Sequence, residues 1–223
     1  MQKFDTPAAV SAVLRLPAGR VQVIAADRAD TTVDVRPADP SKGRDERAAE
    51  QTAVTFADGV LRVDAPTGKN QLVGASGSVE ITVQLPAGSR VEAVSEAVEF
   101  RGVGRLGEVV CETAHGTVKI DEAAGLRLAS HAGDVTVGRL TGPADISVQK
   151  GDIRVTEATA GALELRTRMG DITVDAAPGV SATLDAGTGH GRIHNTLLNT
   201  EGAAAGLTIH ASTDHGDITA RGL

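Results

Sequence analysis

The sequence predicts an all-β fold, with a β-solenoid running from about residue 107 to Leu223, on two observations. A phrase of glycine, usually an acid, then two β-branched residues flanking a polar one returns six times. Between its copies lies a second strand pattern whose apolar residues also fall two apart, so each repeat holds two short strands. Strands of about three to five residues cannot bury one face alone, and neighbouring repeats are expected to cover one another.

The copies are Gly116-Thr117-Val118-Lys119-Ile120, Gly133-Asp134-Val135-Thr136-Val137, Gly151-Asp152-Ile153-Arg154-Val155, Gly170-Asp171-Ile172-Thr173-Val174, Gly191-Arg192-Ile193-His194-Asn195 and Gly216-Asp217-Ile218-Thr219-Ala220. Successive glycines are 17, 18, 19, 21 and 25 residues apart. The intervening pairs are read as Val109 and Cys111, Leu126 and Leu128, Ile146 and Val148, Leu163 and Leu165, Ala182 and Leu184, and Leu207 and Ile209. Stacked parallel coils and an antiparallel meander both fit. The return of glycine, apolar pair and polar spacer in phase favours a β-helix-like stack, with equivalent positions about 4.8 Å apart. Glycine supplies positive φ at the bend, and the Asp after it is expected to hydrogen-bond the turn backbone.

Residues 1–106 are expected to form a less regular β-rich part that caps the solenoid of 107–223, the two making one continuous unit. Its strands are Ala12–Leu16, Arg20–Ile24, Thr32–Val35, Ala53–Phe56, Val60–Val63 and Val79–Val83. Two turns share one phrase, Leu16-Pro17-Ala18-Gly19 and Leu85-Pro86-Ala87-Gly88, which suggests one strand-turn-strand unit used twice in a sandwich-like or capping region. The charged segment Pro37 to Gln51 reads as a loop ending in one short helix. Pro66 to Ser78 reads as a glycine-rich loop charged only at Lys69.

Composition narrows the function. The single Cys111 excludes an internal disulfide and a multi-cysteine zinc site, and its alternating segment suits a small buried thiol. Three phenylalanines, no Trp and no Tyr remove the stacking platforms of single-strand nucleic-acid and sugar sites. A net charge of -7 without a basic cluster argues against nucleic acid and anionic lipid. No apolar run approaches the roughly 20 residues of a membrane span, and the first residues lack the pattern of a signal peptide. The expectation is a cytoplasmic protein without direct membrane insertion, or a cell-surface one if the chain has been trimmed.

The serial Gly-Asp-Ile/Val-x-Val phrases together with the Leu-Pro-Ala-Gly turns resemble the bacterial "putative adhesin" or toast-rack family of β-strand-repeat proteins of unknown function. The likeness spans nearly the whole chain. It implies an all-β stacked-sheet fold and a role in adhesion, or in envelope-stress signalling beside a membrane sensor or regulator. It carries over no catalytic residue.

Candidate sites are few. Asp134, Asp152 and Asp171 would stand about 5 Å apart on successive coils, where carboxylates can hold calcium; with one glycine per phrase, capping of the turns is the favoured role. His115, His190 and His215 precede column glycines and His131 lies two before Gly133. His190 and His215 fall on adjacent coils and could ligate zinc or copper, but Lys150 and Met169 hold the equivalent places elsewhere, so a solvated edge is favoured. Gly187-Thr188-Gly189-His190-Gly191 resembles a phosphate loop but precedes a strand instead of a helix. Ser130, His131 and Asp134 supply the residue types of a hydrolytic triad without a nucleophile-elbow phrase.

The resulting expectation is no enzyme, no cofactor and no committed metal site. The chain is read as a protein-interaction scaffold with outward rows Thr136, Arg154, Thr173 and Thr219 on one strand, and Ser147, Glu164 and Thr183 on the other. The alternatives are a carbohydrate-active β-helix enzyme, disfavoured by the missing aromatics, and a self-assembling structural protein. Homo-oligomerisation is expected at the final repeat, Gly216 to Leu223, which shows no obvious cap.

Overall fold

The computed structural model describes residues 1–66 and 77–223. The described chain is all-β apart from one α-helix and a single 3₁₀ turn, and divides into two compact units, Met1–Gly116 and Thr117–Leu223. Most of the expected loop Pro66–Ser78 lies outside the described residues.

The first unit contains β1 (Gln2–Asp5), β2 (Ser11–Ala26), β3 (Asp30–Pro37), α1 (Gly43–Gln51), β4 (Ala53–Ala57), β5 (Val60–Asp64), β6 (Val79–Pro86) and β7 (Arg90–His115). Strand β2 serves two ladders. Its first half pairs in parallel with β5 and β7, and its second half with β6 and β7. Antiparallel strands extend each ladder, β4 on β5 in one and β3 then β1 on β6 in the other. Alternation explains the choice of elements: Ala12, Leu14 and Leu16, then Val21, Val23 and Ala25, are buried on β2, and Val91, Ala93, Val98 and Phe100 on β7.

The two Leu-Pro-Ala-Gly phrases do different work. Leu85–Gly88 ends β6 and leads toward β7, as a turn should. Leu16–Gly19 instead lies inside β2 and turns the strand from one ladder to the other while β7 follows it, Ala18 opposite Ala97 and Gly19 opposite Val98. Gly19 has φ +132°, and a Cβ there would sit 1.9 Å from the Val79 carbonyl oxygen, so the corner needs glycine twice over. The short helix expected before Gln51 is α1. It seats Ala48 and Asp45 inward, and the Asp45 carboxylate accepts the Ser78 backbone N–H at 3.0 Å.

The second unit is the solenoid. Its strands are β8 (Val118–Ala132), β9 (Val135–Leu140), β10 (Ala144–Lys150), β11 (Ile153–Ala158), β12 (Gly161–Met169), β13 (Ile172–Ala176), β14 (Ala182–His190), β15 (Ile193–Thr196), β16 (Leu207–His215) and β17 (Ile218–Gly222). They form parallel ladders in the orders β8-β10-β12-β16-β14 and β8-β9-β11-β13-β17-β15. Parallel pairing throughout rules out the meander. Inward residues such as Leu128, Ile146 and Leu165 on the first ladder, and Val135, Ile153 and Ile172 on the second, are no more than 1% exposed.

Two expectations are corrected. The coils do not stack in chain order: the last one, β16–β17, is inserted between β12–β13 and β14–β15. The C-terminal repeat is therefore an interior coil, and among the described residues β14–β15 is the edge. The apolar pairs are also out of phase in three copies. The structure aligns Leu126, Ala144, Leu163, Ile209 and Leu184 in one row and Leu128, Ile146, Leu165, Ala211 and Ala186 in the next. These positions lie seven and five residues before each glycine. Counting from the glycine sets the phase, whereas choosing the bulkiest alternating pair slips by one step wherever alanine fills a core position.

Candidate functional site

The Gly-Asp column is the most regular feature of the solenoid. The six glycines have φ between +131° and +159°. A Cβ on Gly151, Gly170, Gly216 or Gly191 would stand 2.4, 2.1, 2.0 or 1.9 Å from the carbonyl oxygen of the glycine beneath it. Close approach and backbone conformation both demand glycine. The carboxylate of Asp134 then accepts the backbone N–H of Asp152 at 3.0 Å, Asp152 that of Asp171 at 2.8 Å, Asp171 that of Asp217 at 2.7 Å, and Asp217 that of Arg192 at 2.8 Å. Each coil caps the corner of the next.

This ladder gives the three candidate calcium ligands a definite occupation, since one oxygen of each holds a backbone amide. Among the described residues no group of three or more His, Cys, Asp or Glu is placed to hold a metal ion. The terminal coil carries Arg192 where four of the other copies carry Asp and the first carries Thr117, and among the described residues no coil lies beyond it to cap. Inside the column runs a second ladder, in which the hydroxyls of Thr167, Thr213 and Thr188 donate to the carbonyls of Gly151, Gly170 and Gly216 at 3.0, 3.1 and 2.9 Å. Sequence reading missed these threonines, although each stands three residues before a column glycine.

The triad residue types are not brought together. Ser130 is buried with its hydroxyl unpartnered among the described residues, while His131 alternates to the exposed side of β8. The phosphate-loop look-alike is the end of β14, and strand β15 follows it. Cys111 is 1% exposed, and burial, with Glu112 adding to it, pushes its thiol up to about 12, away from reactivity.

His190 and His215 are register partners on β14 and β16, their rings 4.8 Å apart at 7°. Beyond them the same row continues through Met169 to Lys150. The outward row Thr136, Arg154, Thr173 and Thr219 is continuous and ends on His194. Ser147, Glu164 and Thr183 instead occupy three successive rows. Glu164 shares its row with Asp145, His210 and Asp185, and Ser147 shares its own with Arg166, Ser212 and Gly187. Arg166 pairs with Glu164 and with Asp145 at 3.5 Å, His210 Nδ1 stands 3.3 Å from the Asp185 carboxylate, and on the other ladder Arg139 pairs with Glu157 at 3.6 Å.

The first unit holds a shallow open depression of about 510 Å³ beside Gly19, Glu80, Glu99 and His115. Its cation Arg20 is already engaged by Glu99 at 2.9 Å and Glu80 at 3.8 Å.

Parallel coils, capped corners and polar outward rows define a β-solenoid repeat protein. The chain belongs to the Toastrack DUF4097 family, whose model matches residues 9–221. The solved structures it is similar to include a "putative cell adhesion protein" from Clostridium sporogenes, at 13% identity over 100% of this chain and 98% of that one with a TM-score of 0.40. A "putative adhesin" from Bacteroides fragilis matches at 12% identity over 98% and 95%, with a TM-score of 0.44. A "putative lipid binding protein" from Parabacteroides distasonis matches at 12% identity over 99% and 92%, with a TM-score of 0.34. These neighbours are not named as enzymes. No curated protein matches the chain. No helix among the described residues is long and apolar enough to cross a membrane.

Proposed function

We propose that this chain is a non-catalytic protein-interaction scaffold that presents the outward rows of its solenoid to a protein partner. The observation that carries the reading is the unbroken register of Thr136, Arg154, Thr173 and Thr219. Because the corners beneath them are capped coil by coil, these side chains stand at fixed spacing on a rigid backbone, and a partner meets them with little ordering on this side. The exposed ion pairs Arg166–Glu164 and Arg139–Glu157 add a fixed pattern of charge that orients such a partner. A membrane sensor or regulator is the partner class that the family's envelope-stress association favours.

The test is capture of the tagged protein from detergent-solubilised lysate of its native host, beside a variant carrying Arg154→Glu and Thr173→Glu, with mass spectrometry of what co-purifies. A protein recovered with the parent and lost with the variant supports the scaffold reading. Recovery of the chain alone, or only with further copies of itself, moves the function to a structural or adhesive role.

A further inference from the structure

We propose that His190 and His215 form a two-imidazole site for a divalent transition-metal ion, copper(II) binding tightest, that clips the terminal coil β14–β15 to the coil beside it. The two residues face each other across parallel strands in direct register, and their rings lie parallel at 7° with centroids 4.8 Å apart. Both are exposed, so an ion and its remaining water ligands have access. Their backbones are fixed: the His190 carbonyl accepts the Gly216 N–H, and the His215 carbonyl accepts the Gly170 N–H, each at 2.9 Å.

Chelation asks the rings to leave their stack. An imidazole nitrogen donates in the plane of its ring, so the two rings must tilt toward each other until both nitrogens lie about 2.0–2.1 Å from one ion, a change of side-chain torsions that two exposed histidines in direct register make without moving the strands. The local charge is permissive as well. Met169 is the next residue of the row and separates the pair from the Lys150 ammonium, and the neighbouring Arg168 is engaged by Asp214 at 3.6 Å. Two neutral nitrogen donors with water completing the shell rank the divalent ions in the order copper above nickel and zinc. The placement has a consequence for the fold. Among the described residues coil β14–β15 has a neighbour on one side only, and its Ile193 is 46% exposed where the equivalent Ile172 is fully buried. A bond across β14 and β16 would hold the least covered coil of the stack.

The experiment is titration of the untagged full chain with copper(II), nickel(II) and zinc(II), followed by calorimetry, by electron paramagnetic resonance of the copper form, and by hydrogen exchange of the backbone. One saturable copper site per chain with hyperfine coupling to two nitrogens is expected, together with slower exchange in β14 and β15. His190→Ala and His215→Ala should each weaken copper binding at least tenfold, while the pairs His115→Ala/His131→Ala and His194→Ala/His210→Ala should bind as the parent does. All six histidines are at exposed positions, and circular dichroism checks that the sheet signal is retained. Absence of saturable uptake by the parent, or parental affinity in the His190→Ala/His215→Ala double variant, overturns the proposal; unaltered exchange in β14 and β15 on loading overturns the clip.

Discussion

Coils β12–β13 and β14–β15 are written in the same phrase and end in different environments. In the first, Gly170-Asp171-Ile172-Thr173-Val174 lies between two neighbours: Ile172 and Val174 are buried, and Asp171 caps the coil beyond. In the second, Gly191-Arg192-Ile193-His194-Asn195 has a neighbour on one side among the described residues, Ile193 is half exposed, and an asparagine stands where the other copies place Ile120, Val137, Val155, Val174 and Ala220. The decay of the phrase is thus a property of position. A final coil gains nothing from an acid that would cap a further corner, and a polar residue at its exposed core position discourages another strand from adding there. The difference teaches that, in a stack, the divergent repeat marks the edge even when it is not last in the chain.

The comparison can be broken most forcefully in the core. Ile172→Ala should cost about 3–4 kcal/mol, as a deletion in a closed core does, and Ile193→Ala about 1 kcal/mol or less; equal losses in urea unfolding would remove the distinction between interior and edge. The order of the coils is tested next by cysteine pairs. Thr173 and Thr219 are register partners, whereas Thr173 and His194 are two strands apart. Thr173→Cys with Thr219→Cys should oxidise to a disulfide and raise stability by about 2–4 kcal/mol. Thr173→Cys with His194→Cys should stay reduced, and the opposite pattern would restore stacking in chain order.

A smaller effect separates the capping residues. Asp171→Ala leaves the Asp217 N–H without its carboxylate and should cost about 1 kcal/mol, while Arg192→Ala, with no coil to cap, should stay within about 0.5 kcal/mol of the parent. The smallest effect lies in the first unit and gives the stack a reference. The Arg28 guanidinium, then the Lys3 ammonium, hold Asp30 at about 2 from its ordinary 3.8. A carboxyl lowered on folding stabilises above 3.8, and this contribution fades as the pH falls toward 2. Stability measured at pH 5 and at pH 2.5 should therefore differ slightly less in Arg28→Ala than in the parent; an identical difference would show that the pair contributes nothing.

Much of this was legible from residues. Alternation located the strands of both units, the charged stretch before Gln51 yielded α1, and the Gly-Asp column was expected as turn capping. What the capping reading lacked was its reach: the carboxylate serves the next coil's amide, a bond between positions 18 to 46 residues apart. The threonine ladder escaped because hydroxyls in an inward row look like interruptions of an apolar pattern. The His190 and His215 neighbourhood was legible, but the distance and tilt of their rings depend on strand register.

The sequence by itself determined a β-solenoid, its capped glycine corners and the family to which the chain belongs, because a two-residue period and a recurrent positive-φ glycine leave few alternatives. The tertiary structure alone decided the order in which the coils stack. Parallel coils with the same phrase are nearly interchangeable neighbours, so local preference cannot rank them. The 25-residue step from Gly191 to Gly216, the longest of the series, gives the last coil enough chain to enter between two earlier ones, where Ile218 and Ala220 are buried on both sides and the weakest copy of the phrase is left at the edge.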